Sequence, residues 1–159
     1  MAFFGRRRWD RPPTESAGVL LASPGAPFSR AAIRRACELA AGEPVAVLAI
    51  LKVYGSSFGL QNPGLMPNRR ERDEQYANVR RAITAVERRG GTADGQITAT
   101  RSAGRTIAKA ARRRNVRYVV MDDHDAGGMR RLAEGAVTAT VRRMLAGRAE
   151  LELVTEGVK

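Results

Sequence analysis

A chain of 159 residues has room for one domain that buries its own core without disulfides or metal. Its single cysteine, Cys37, excludes an intrachain disulfide, and no apolar run approaches the roughly 20 residues of a membrane helix, so a soluble protein of the reducing cytoplasm is expected. The net charge of +12 comes almost wholly from arginine, since Lys52, Lys109 and Lys159 are the only lysines, and aromatic residues make up 5%, too few for a single-strand stacking platform.

The stretch MAFFGRRRWDRPPTES is unlike a secretory signal, because its arginines follow a short apolar patch instead of preceding a long one. Residues 1–16 are expected to be a flexible basic arm, 17–155 the folded domain and 156–159 a tail. The first strand is expected at Gly18 to Ser23, GVLLAS, a wholly apolar run suited to burial on both faces. PGAPFS turns the chain, and Ser29 is the expected N-cap of a helix with Ile33, Ala36, Cys37 and Ala40 on one face, ended by Gly42. Cys37 lies on that apolar stripe and reads as a core residue, not a nucleophile.

Pro44 to Val53 reads as a second buried strand, followed by a long loop of the kind that often serves as a lid. Asn68 and Glu71 have capping-box spacing, and Tyr76, Val79, Ile83 and Val86 predict a helix running to Gly90-Gly91, with Arg70 and Glu74 placed to pair on its outer face. A third strand is expected at Gly95 to Arg101 and a helix around Ile107, Ala110 and Ala111. A fourth strand follows at Val116 to Met121, a helix through Leu132, Val137, Val141 and Met144, and a last, alternating strand at Glu150 to Val154. This alternation predicts an α/β fold, an open five-stranded, mostly parallel sheet with helices on both faces. Arginine pairs from Arg34/Arg35 to Arg142/Arg143 fall on successive elements; they read as solvated helix faces, with an arginine-driven nucleic-acid or acidic-protein contact as the alternative.

In such sheets ligands bind at the carboxyl ends of strands where the strand order reverses, which points to Ser23 to Gly25, the segment around Val53, and the loop Asp122 to Gly128. The run Asp122-Asp123-His124-Asp125 has metal-ligand chemistry, but consecutive residues point in different directions and no second cluster completes a site. Its carboxylates are therefore expected to cap the following helix and to pair with nearby arginines, and no metal is expected. His124 has no nucleophile assigned to it and reads as a loop-packing residue.

The element order, the long loop after the second strand, and a fourth strand ending in Met121-x-x-His124 before a glycine loop resemble the universal stress protein (UspA) family over about Gly18 to Val154. The resemblance implies a Rossmann-like, HUP/UspA-type fold. Nucleotide-binding members carry Gly-x2-Gly-x9-Gly-Ser/Thr after the fourth strand and an aspartate ending the first. Met121, His124, Gly128, Arg131 and Gly135 fit that pattern, whereas Asp122 and Asp125 replace two glycines, Ala136 the Ser/Thr, and Ser23 the aspartate. Gly127 is a further glycine of the loop.

Glycines let backbone N–H groups approach a phosphate closely, and an added carboxylate obstructs them. A like-charge pair about 4 Å apart costs roughly 1 kcal/mol in water and roughly 4 near a protein surface. The expectation is a non-enzymatic, stress-associated or regulatory protein with a degenerate nucleotide site and no bound cofactor; an ATP- or AMP-binding sensor is the alternative. The resemblance further implies a homodimer through Glu150 to Val154. ELELV also has the alternation of a strand buried on one side, and its glutamates would repel across paired strands unless arginines such as Arg148 lie opposite them.

Overall fold

The structure, a computed structural model, describes residue 13 and residues 15–53, 68–123 and 129–155, with 129–135 described by backbone alone. Strand and helix alternate as β1 (Val19–Ser23), α1 (Arg30–Ala40), β2 (Val45–Lys52), α2 (Arg69–Arg88), β3 (Ala93–Thr100), α3 (Ala103–Arg113), β4 (Tyr118–Asp122), α4 (Met129–Leu145) and β5 (Glu150–Val154). The sheet order is β3-β2-β1-β4-β5, and every pairing is parallel. Interior strands of such a sheet are covered on both faces, which is why VLLAS is buried throughout and VAVLAILK at all but its last residue. The edge strands β3 and β5 are only partly buried, and their sequences mix polar with apolar residues accordingly.

The two-residue period of the strands divides the core. Val19, Leu21, Val45, Val47 and Val120 pack with α1 and α2, while Leu20, Ala22, Leu48, Ile50 and Met121 pack with α3 and α4. The helix ends are chemically marked. Asn68 and Glu71 form a reciprocal capping box with both bonds at 2.9 Å, and α1 closes through left-handed Ala41 and Gly42. Glycine is required at 104, where a Cβ would lie 2.8 Å from Thr140 Cβ and 3.0 Å from the Val137 carbonyl, so α3 and α4 meet backbone to backbone.

Each helix returns the chain from the carboxyl edge of the sheet to its amino edge. At the amino edge, buried Arg114 donates from Nη1 and Nη2 to Asp94 at 2.8 and 2.5 Å and from Nε to the Glu15 carbonyl. This guanidinium ties the start of β3, the end of α3 and the entry to β1 together. Glu15 belongs to the stretch expected to be a flexible arm; the rest of that stretch up to residue 12, with residue 14, lies outside the described residues, as do the long loop 54–67 and the tail 156–159.

Candidate functional site

The chain moves outward from β1 to β2 and β3, then returns to place β4 on the other side of β1. Strand order therefore reverses between β1 and β4, where Ala22 aligns with Met121 and Ser23 and Asp122 follow as neighbours. By the strand period both side chains turn toward α1, on the same side as Leu21 and Val120.

Ser23 is buried. Its hydroxyl donates to the Ala26 carbonyl and accepts the Gly25 N–H at 3.2 Å, closing a tight turn in which Gly25 has φ 133°, a value that favours glycine. From α2, the buried Asn78 amide clamps the same turn. It accepts the Phe28 N–H at 3.2 Å and donates to the Ala26 carbonyl at 3.1 Å, while Gln75 donates to the Gly25 carbonyl at 2.9 Å.

Asp122 corrects the expectation that these carboxylates cap the helix that follows them. Its Oδ2 accepts the Ser29 N–H at 3.0 Å and its Oδ1 accepts the Ser29 hydroxyl, while that hydroxyl accepts the Ala32 N–H at 3.0 Å. The carboxylate thus extends the N-cap of α1, 93 residues earlier in the chain. The cause is geometric, because Asp122 faces α1 and the start of α1 lies at the same edge. There the free N–H groups and the positive end of the helix dipole favour a carboxylate. Asp123 is exposed, and its N–H donates to the Val154 carbonyl at 2.8 Å.

Val53 is half-buried beyond β2, its N–H bonded to the Thr100 carbonyl at 3.0 Å. Gly135 and Ala136 fall in the second turn of α4, with Ala136 exposed. Asp125, Gly127 and Gly128, together with His124, lie outside the described residues. Among the described residues no group of three or more His, Cys, Asp or Glu side chains is gathered around a point. Cys37 is half-buried against the α1–α2 core, and burial pushes its thiol pKa up, away from a nucleophilic thiolate.

Beside the crevice, β5 forms a free edge. Leu151 and Leu153 pack on the α3–α4 core, and Glu152 turns the other way to accept from Arg35 Nε at 2.8 Å. Arg35 is therefore the partner of Glu152 within the chain. Glu152 and then Glu38 hold the Arg35 guanidinium pKa above its usual value. A groove of about 400 Å³ runs between α1 and β5, lined by Ala31, Arg34, Arg35, Glu152, Leu153 and Val154 among others.

Sequence reading missed Asn78 and Gln75, although one signal was present. Asn78 is one residue before Val79 and four before Ala82 on the buried stripe of α2, where an amide needs partners.

A doubly wound, all-parallel sheet with its crevice at the β1–β4 reversal defines a Rossmann-like α/β protein. The universal stress protein family model matches residues 19–144, and the chain belongs to that family. A search of curated proteins finds no match. Solved structures agree on the fold. A universal stress family protein from Burkholderia pseudomallei is 18% identical with a TM-score of 0.62, covering 89% of this chain and 98% of its own. A universal stress protein from Archaeoglobus fulgidus is 17% identical with a TM-score of 0.63, covering 86% and 97%. A universal stress protein in complex with cAMP is 15% identical with a TM-score of 0.60, covering 89% and 98%.

Proposed function

We infer that this is a non-enzymatic, stress-associated or regulatory member of its family, cytoplasmic and homodimeric, whose nucleotide site is degenerate. The observation that carries the reading is the engagement of Asp122. A nucleotide phosphate approaching the end of β4 meets a carboxylate anchored on Ser29 and unable to swing aside without giving up both bonds to the N-cap residue of α1. Ser23, at the end of β1, has its hydroxyl donor and acceptor capacity committed to its own turn and is uncharged. At Ala136 there is no hydroxyl to donate, a bond to a charged group otherwise worth about 1.5–3 kcal/mol.

The competing reading is a nucleotide sensor, favoured by the cAMP complex of the similar protein. Purified protein denatured and analysed for nucleotides separates the two. No AMP, cAMP or ATP above trace is expected, and a stoichiometric amount of any of them overturns the reading.

The dimer rests on the edge position of β5. Inner backbone bonds of Glu150 and Val154 reach Arg117 and Asp123, which leaves the N–H and C=O groups of Leu151 and Leu153 pointing outward for a second copy. Light scattering at tens of micromolar is expected to give twice the 17.3 kDa chain mass; the monomer mass there contradicts the dimer.

A further inference from the structure

Residues 101–117 hold six arginines, one lysine and no acid. Folding separates them. Arg114 is buried on Asp94, whereas Arg101, Arg105, Lys109 and Arg112 are exposed. Arg105, Lys109 and Arg112, spaced four and three residues apart, make one stripe along α3, opposite the buried Ile107 and Ala111, and Arg101 lies just before the N-cap residue Ser102. From Arg105 to Arg112 the stripe is about 10 Å long, with about 6 Å of rise between residues four apart. α4 runs parallel beside it, and the approach of Gly104 to Val137 and Thr140 brings exposed Arg142 and Arg143 level with Lys109 to within a turn. Among the described residues none of these six cations has a carboxylate partner.

Folding does not account for this stripe. Like charges four apart on a helix repel, and Arg105 stands in the first turn of α3, where the dipole disfavours a cation. Only Arg112, Arg142 and Arg143 lie in last turns, where the dipole helps. An external anion relieves the repulsion that remains.

We propose that the outer face of α3 and α4 binds the phosphate backbone of duplex nucleic acid without regard to sequence. The planar arginine fork suits phosphate oxygens, and a row of cations on a rigid helix suits a rigid row of phosphates. The rest of the exposed face is small or polar, including Ala136, Ala139 and Ala146. Among the described residues it therefore offers no aromatic platform for unstacked bases and no apolar wedge for a bilayer. This surface is separate from the β1–β4 crevice and does not depend on what that crevice holds.

The test is fluorescence anisotropy of a labelled duplex of about 20 base pairs titrated with the full chain over a salt series. With four to six phosphate contacts, log Kobs is expected to fall against log salt with a slope of roughly −4 to −5. Arg101→Gln with Arg105→Gln and Lys109→Gln is expected to reduce that slope by about 3 and to weaken binding roughly tenfold or more on any sequence. Arg69→Gln with Arg80→Gln and Arg81→Gln removes the same charge from exposed positions on α2 and is expected to leave the slope unchanged. Circular dichroism confirms that both variants fold. Absence of duplex binding, an equal loss in both variants, or preference for phosphatidylserine vesicles or polyglutamate over duplex overturns the proposal.

Discussion

On one face of the sheet, α1 and α2 interleave arginines with carboxylates: Arg34 and Arg35 meet Glu38, Arg35 reaches Glu152, and Arg70 meets Glu74. On the other face, α3 presents Arg105, Lys109 and Arg112, with Arg101 just before it, and there is no acid in the segment. The crevice at the β1–β4 reversal follows the first pattern, since Ser23, Asp122 and Asn78 are bonded to the chain itself. The difference teaches where to look for an external partner. Polar groups satisfied from within have little left to offer a ligand, whereas a charged stripe that opposes its own helix awaits a counter-charge from outside.

Arg114 gives the largest effect. It shares a seven-cation segment with the stripe, yet it is buried and paired, so Arg114→Ala leaves Asp94 without its partner and opens the amino edge. Because Asp94 is itself partly exposed and can be rehydrated, a loss of about 2–3 kcal/mol is expected, a fall of roughly 8 °C in Tm for a chain of this length. A change as small as that of an exposed arginine would erase the contrast. Next comes Asp122→Ala, which removes the acceptor of two Ser29 donors and is expected to cost about 1–3 kcal/mol, read as a lower denaturant midpoint at constant slope. Asp122→Asn keeps an acceptor and should lose less; equal loss would point to the charge on the helix dipole. The smallest effect belongs to Arg105→Gln with Lys109→Gln, for which an unchanged or slightly raised midpoint is expected as i,i+4 repulsion is relieved. A clear drop would assign these side chains a folding role.

Much of the fold was legible in local chemistry. Continuous apolar runs marked β1 and β2, Ser29 and the Asn68–Glu71 pair marked helix starts, and ELELV matched β5 to the residue. The crevice positions at Ser23 and Asp122 followed from the alternation of elements, because topology fixes where the strand order reverses. What local chemistry did not reveal is what those side chains hold. Asp122 bonds to a residue 93 positions away, and Asn78 to a turn 50 positions away, so their partners depend on which face each element turns inward. The cationic stripe was hidden for a related reason. Arginine pairs spread evenly along the chain, and only the assignment of α1 and α2 to one face and α3 and α4 to the other shows that the acid-free segment around α3 lies on the face opposite the paired arginines.

Isothermal titration of the purified chain with MgATP is the sharpest test of the proposal that the crevice does not hold a nucleotide. No saturable heat is expected at protein concentrations of tens of micromolar. A one-to-one isotherm with Kd below about 10 µM, close to 7 kcal/mol of binding free energy, would contradict it, because an Asp122 locked on Ser29 leaves no means of holding a phosphate that tightly.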